Sequence, residues 1–281
     1  MTVLIAGCGD LGTEVGLRLV ALGQRVVGVR RQAGVLPVAL NGQSVDLSRE
    51  RPEVPADTEI VIVTVAAGNP DPAVYRAAYV TGLANLLDAL DATGVTPRRF
   101  LLVSSTAVYD VNDGSTVDEE TPAAPGPGTD SILLEAEQLL RSRIPAAVVL
   151  RLGGIYGPGR ERLIRQVREG RATIAARGRL SNRIHRDDAA AMIVHLVCRD
   201  TAPDPLYLGV DSTPVPATEV PDFLADELGL PHPEIVETGG RRGGDKRVSN
   251  RRILETGFSF TYPSYREGYR AVLAGQAVRH P

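Results

Sequence analysis

The chain has no tryptophan, two cysteines and a single lysine among its 31 cationic side chains. Cys8 and Cys198 cannot build the disulfide framework of a small secreted fold, and they suit a reducing cytoplasm, the expected location. No apolar run approaches the roughly 18 residues that a membrane span needs. The longest, from Ile60 to Ala67, reads as a buried strand, so no membrane partner is expected. Residue 2 already belongs to the first strand, which leaves no room for a signal peptide ahead of the fold. A chain whose only lysine is Lys246 also excludes any chemistry that needs a lysine elsewhere.

What is present fits an ordinary globular protein. With 281 residues, 43% hydrophobic and 23% charged, the chain can form one large α/β domain plus a smaller lobe. The net charge is −3, but the cations are unevenly spread. Nine arginines fall between Arg160 and Arg186, and Arg241, Arg242, Lys246, Arg247, Arg251 and Arg252 form a second cluster, together 15 of the 31. No aromatic side chains interleave with the second cluster and no nucleic-acid motif occurs. An anionic small molecule is therefore the expected partner rather than nucleic acid. His195 and His232 lack partners at metal-ligand spacing, so no metal is expected.

The most informative segment is the first. Thr2 to Ala6 reads as a strand and runs directly into Gly7-Cys8-Gly9-Asp10-Leu11-Gly12. This G-x-G-x-x-G set lies between a strand and an amphipathic helix (Val15, Leu19, Leu22), and a second strand, Arg25 to Val29, closes the βαβ unit. Gly7 allows the tight turn, Gly9 lets a pyrophosphate approach the backbone, and Gly12 lets the helix pack close to the sheet. The free amides at the helix N-terminus, Asp10 and Leu11 included, face the phosphates. The second strand ends in Arg30-Arg31 with no carboxylate. Two guanidiniums suit a 2′-phosphate, which points to NADP, with NAD the alternative. Cys8 stands at a helix N-terminus, which favours a thiolate, but reads better as a small residue tolerated in the turn.

Strand and helix patterns alternate through the first 150 residues, which predicts a doubly wound parallel sheet. Ser44 to Leu47 is expected as a third strand, Ile60 to Val65 as a fourth and Arg99 to Ser104 as a fifth. Pro72 to Ala92 is expected as one long helix, Asp130 to Arg141 as another, and Ala146 to Leu152 as a strand. Asp110 to Thr129 reads as a loop. The expected division is a dinucleotide-binding domain from 1–155 and 183–211, with a smaller substrate-side lobe from 156–182 and 212–281.

Several segments resemble the extended short-chain dehydrogenase/reductase superfamily, in its epimerase/dehydratase branch. Beside the glycines these are Val103-Ser104-Ser105-Thr106-Ala107-Val108-Tyr109, Asp118-Glu119-Glu120-Thr121-Pro122 and Leu150 to Gly159. Asn182 to Ala189, and Lys246 to Asn250 with Leu254 and Gly257-Phe258, extend the likeness over nearly the whole chain. The resemblance implies a Rossmann fold and a cofactor site that takes in Asp46 and Leu47 at the adenine, Val65, Ala66 and Ala67 at the cofactor's middle, and Ser104 and Gly153 near the nicotinamide. Ser105 matches the catalytic Ser. Thr106, Arg160, Arg183 and Lys246 are candidates for holding an anionic substrate.

The departure lies in the catalytic pair. Members use a Tyr with a Lys four residues later, and the only lysine here has Arg242 at that spacing. Anchored on Glu137-Gln138-Leu139-Leu140, the Tyr and Lys positions fall on Thr129 and Leu133. Tyr109 is the candidate substitute proton donor, Asp130 or Ser131 is expected to cap the helix, and His185 is expected to be structural. The expectation is an NADP-dependent oxidoreductase or epimerase-like enzyme acting on an anionic small molecule or nucleotide sugar. The competing expectation is a non-catalytic NADP-binding redox sensor. A homodimer is compatible with the resemblance, although no interface pattern marks one.

Overall fold

The computed structural model describes residues 1–176, 178–237, 244–276 and 278–281. The first half runs β1 (Thr2–Ala6), α1 (Asp10–Ala21), β2 (Arg25–Arg30), β3 (Asn41–Ser44), β4 (Thr58–Val63), α2 (Pro72–Tyr75), α3 (Gly82–Thr93) and β5 (Arg99–Ser105). It continues with β6 (Asn112–Val117), α4 (Thr129–Arg143), β7 (Val148–Leu152), β8 (Gly154–Tyr156), α5 (Arg162–Arg168), β9 (Thr173–Ala175) and β10 (Leu180–Ser181). Then come β11 (Arg183–His185), α6 (Arg186–Cys198), β12 (Leu206–Gly209), β13 (Val215–Pro216) and α7 (Glu219–Leu228). The last are β14 (Glu234–Val236), β15 (Asp245–Val248), α8 (Arg251–Glu255) and α9 (Tyr265–Leu273).

Seven strands pair in the order β12-β7-β5-β4-β1-β2-β3, every pair parallel. Both faces of a parallel sheet are covered, so β1 is buried along its whole length. Val3 and Ile5 face Val15 and Leu19 of α1 and Ile193 and Leu196 of α6. Leu4 and Ala6 face Leu83 and Leu86 of α3 and Leu140 of α4. The chain leaves β1 toward β2 and β3, then returns to β4 on the other side. That reversal opens a crevice at the carboxyl ends of β1 and β4, where such sheets bind ligands.

A smaller core joins Tyr156, Ile164, Val167, Phe223, Leu224, Tyr265 and Tyr269. Ile253 and Phe258, from the stretch assigned by sequence to this lobe, pack instead into the core on the α1/α6 face of the main sheet. No helix among the described residues is long and apolar enough to cross a membrane.

Three expectations are corrected and one is refined. Leu22 is the C-cap of α1 and 58% exposed, so the buried stripe ends at Leu19. The third strand ends at Ser44, because Asp46 turns the chain by accepting the Ser48 N–H and hydroxyl. The long helix forms as one continuous run to Thr93, but its middle, Arg76–Thr81, is wound as a π-helix between α2 and α3. The loop after β5 contains β6, paired in parallel with β15. Its residues are polar and its partner lies far along the chain, so no local pattern marks it.

Candidate active site

The glycine-rich turn is pinned by the Gly7 and Cys8 amides, which both donate to Val29 O, at 3.0 and 2.9 Å. Gly7 has φ +81°, and a Cβ there would lie 2.6 Å from the Val65 backbone. A Cβ on Gly12 would lie 2.6 Å from Thr64 Oγ1. Both glycines are thus required by the protein's own packing. Gly9 is not: its Cβ would meet nothing nearer than Gly7 O at 3.9 Å. Gly9 is the N-cap of α1 and no side chain caps that end. The first-turn amides, which have no intrahelical acceptors, therefore lie beside a space that a Cβ on Gly9 would enter without a clash. These residues fit a diphosphate.

Asp10 places a carboxylate in this turn, where it would repel a phosphate. Arg186 Nη1 at 2.7 Å and Arg160 Nε at 3.3 Å hold it. Sequence reading missed the Asp10–Arg186 pair, since nothing local links α1 to the start of α6. Cys8 is fully buried, and burial pushes its thiol up to about 11. Its Sγ fills the space left by Gly28, where a Cβ would lie 2.8 Å away. Cys8 is packing, not a thiolate.

Arg30 closes β2 half-buried, and Arg31 beside it is exposed. Arg30 Nη1 donates to Cys8 O at 3.4 Å and to Pro281 O at 2.6 Å. Asp46 sits past the tip of β3, its carboxyl held low first by the Ser48 hydroxyl. Leu47 is buried and its carbonyl accepts from Asn85 Nδ2 at 2.7 Å. Val65, Ala66 and Ala67 follow β4 beside Gly7, with Ala66 exposed. A Cβ on Gly153 would lie 2.8 Å from both Asn182 O and Val210 Cγ1, so that glycine is needed where two loops meet.

At the end of β5 neighbouring serines point opposite ways. Ser104 lies beside Arg151 in the sheet. Its hydroxyl donates to Glu137 Oε1 at 2.5 Å, which leaves only its main chain to meet a cofactor. Arg151 forks onto Glu137, with Nη2–Oε2 at 2.6 Å and Nε–Oε1 at 3.0 Å. Its Nη1 donates to Tyr109 Oη at 2.6 Å, and Tyr109 donates to Asp118 O at 3.2 Å. Tyr109 is 1% exposed, and burial raises its pKa above the ordinary phenol value. Its hydroxyl has structural partners on both sides, which corrects the expectation that it swings toward a substrate. Ser105 instead accepts the Ala107 N–H at 3.2 Å and keeps its O–H to donate.

The expected substrate residues do not converge. Thr106 is 7% exposed and Lys246 2%. Lys246 Nζ donates to Tyr109 O at 2.6 Å, and burial lowers its pKa. Both are enclosed by protein, which corrects their assignment as substrate contacts. Arg183 is half-buried, with Nη1 3.4 Å from Tyr269 Oη. Arg160 alone of the four reaches the turn. The second basic cluster disperses: Arg252 pairs with Glu119 and Glu120, Arg251 lies 3.5 Å from Glu255, and Arg247 is exposed. Arg241 and Arg242, like Arg177 of the first cluster, lie outside the described residues.

At the two positions where the resemblance expects the pair, Thr129 begins α4 and Leu133 is buried with Val108 and Tyr109. Gly128 is the N-cap of α4, not Asp130 or Ser131, and Ser131 Oγ donates back to Gly128 O. His185 caps α6 by accepting the Asp187 N–H at Nδ1, and burial pushes it down to about 4, which keeps it neutral. Sequence reading also missed Asp211, just past β12. Burial raises its carboxyl to about 7, and its Oδ2 has no hydrogen-bond partner. No acidic, His or Cys cluster that could hold a metal occurs among the described residues.

A profile of the NAD dependent epimerase/dehydratase family matches residues 3–207, glycine turn and sheet together. The chain belongs to this family. A family protein of Methylobacillus flagellatus with a solved structure is 36% identical, with a TM-score of 0.81 over 98% of both chains. The 3-diazoavenalumate denitrifying reductase of a Streptomyces species is 28% identical over 95% of this chain and 99% of its own. UDP-glucuronic acid 4-epimerase of Bacillus cereus, solved with UDP-glucuronic acid and NAD, shares the fold at 18% identity and a TM-score of 0.82, over 98% of both chains.

Proposed function

We propose that the protein is an NADP(H)-dependent reductase or epimerase-like enzyme of the epimerase/dehydratase family, acting on an anionic small molecule or nucleotide sugar. The observation that carries this reading is the open space over Gly9 at the start of α1, beside a β2 tip that bears Arg30 and Arg31 and no carboxylate. The name of the Streptomyces relative supports reduction, and the substrate of the Bacillus cereus neighbour supports a nucleotide sugar. Bound NADP(H) supplies or accepts the hydride. Ser105 orients the substrate oxygen with its free O–H. With Tyr109 locked, the proton comes from water, and Tyr109 acts by holding the loop after β5.

Cofactor preference tests the first half. A charge-assisted pair contributes about 1.5–3 kcal/mol, so NADP should bind roughly tenfold or more tighter than NAD. Arg30→Ala should remove most of that preference in calorimetric titrations, and equal or tighter binding of NAD by the unaltered protein would refute it.

The second reading, an NADP-binding sensor without turnover, is favoured by the locked Tyr109 hydroxyl and by a sequence in which no lysine follows a tyrosine by four residues. Following NADPH absorbance over aldehydes, ketones and nucleotide sugars separates the two. If the protein is an enzyme, Ser105→Ala should lower kcat by about 10²–10³ with cofactor affinity little changed, the scale for one lost oxyanion-type donor. Tight NADP binding with no turnover across the panel selects the sensor.

A further inference from the structure

The last described residues lie across the turn that the preceding reading gives to the cofactor. Arg186 Nη2 donates to Val278 O at 2.8 Å, and the His280 amide donates to Asp10 Oδ1 at 3.1 Å. His280 Nε2 lies 2.7 Å from Glu14 Oε2, one turn along α1. The Arg279 side chain fills the place a Cβ would take on Gly159. Pro281 O accepts from Arg30 Nη1 at 2.6 Å. The segment thus runs from the start of α6, over the N-terminus of α1, to the tip of β2.

We propose that residues 278–281 are a strap that competes with the dinucleotide for the glycine-rich turn and for Arg30, and so sets the affinity and selectivity of that site. The proposal rests on the turn being the cofactor site. Two observations make the strap releasable. Its hydrogen bonds are all polar contacts that water or a ligand can replace, and Val278 is 73% exposed, so little apolar burial opposes lifting it. Arg30 reaches Pro281 O through Nη1 alone, whereas a 2′-phosphate carries more negative charge and several acceptor oxygens and can take the guanidinium as a fork. A 2′-phosphorylated dinucleotide can therefore take Arg30 from the strap, and one with a bare ribose hydroxyl lacks that advantage. Apparent affinity is then the intrinsic affinity reduced by the fraction of molecules with the strap lifted.

The test uses the full chain. His280→Pro removes both the amide that Asp10 accepts from and the imidazole beside Glu14. It should tighten NADP binding about fivefold or more, by raising the lifted fraction. In the unaltered protein, NADP should speed tryptic cleavage of the Arg279–His280 bond, read by mass spectrometry as loss of the last two residues. NADP that binds and slows that cleavage would make the segment a clamp on bound cofactor and overturn the proposal. Binding with cleavage and affinity both unaltered would overturn it as well, while leaving the cofactor reading intact. Absence of NADP binding in both proteins would overturn the cofactor reading, and the strap with it.

Discussion

Gly9→Val should abolish measurable dinucleotide binding while leaving the melting temperature essentially where it was. The two effects separate because of where the new side chain goes. Gly9 has φ −89° and ψ −156°, an extended conformation that a β-branched residue adopts, and its Cβ would meet no protein atom nearer than 3.9 Å. The isopropyl group would instead fill the space over the first turn of α1, where a diphosphate would need to touch backbone amides. Loss of that approach should weaken binding by roughly a hundredfold or more, about 2.7 kcal/mol. Gly7→Val provides the contrast, since φ +81° and the nearby Val65 backbone make it a folding defect. Calorimetry showing unchanged affinity in Gly9→Val would reduce the glycines to a structural turn and remove the basis of the proposed function.

The largest loss of stability is expected from Arg151→Leu. Arg151 and Glu137 have side chains 5% and 2% exposed, and their fork is joined by Ser104 and Tyr109. Removing the guanidinium leaves a buried carboxylate with only the Ser104 hydroxyl, a change that costs about 3–5 kcal/mol. It should appear as a large drop in the urea midpoint. Pairing it with Glu137→Leu should recover much of the loss, because the penalty is an uncompensated charge rather than a missing attraction. If Arg151→Leu shifts the midpoint no more than a surface substitution does, the network is ornamental. The loop that carries Tyr109 hangs from this fork, so partial loss of order around Ser105 should accompany the drop.

Much of the fold was legible because parallel strands announce themselves. Thr2–Ala6 and Ile60–Val63 are continuous apolar runs flanked by glycine or turn residues, and burial on both faces demands that pattern. The glycine turn was legible from local chemistry too, since Gly7 and Gly12 answer steric needs and Gly9 leaves room where a phosphate would approach. What was not legible depends on partners distant in sequence. Nothing around Asp10 reveals Arg186, and nothing in Asn112–Val117 reveals β15. Tyr109 shows the limit most clearly. Its position after Ser105 suggested a proton donor, but whether a hydroxyl is free depends on Arg151, 42 residues on. The same holds for Lys246, whose charge looked available until the carbonyl of Tyr109 was seen to take it.

The parallel pairing of β6 with β15 imposes an order on synthesis. A nascent chain has every strand of the main sheet once β12 has left the ribosome, and its contacts can form from that moment. β6, within the segment after Ser105, still lacks its strand partner then. β15, with Lys246 on it, emerges later, Arg252 follows it, and the contacts they close with this segment span a long stretch of chain. The scaffold can therefore mature well before the cleft does. A ribosome-bound intermediate would carry a finished sheet with β6 still unpaired beside it, a state that lasts until the final quarter of the chain is made.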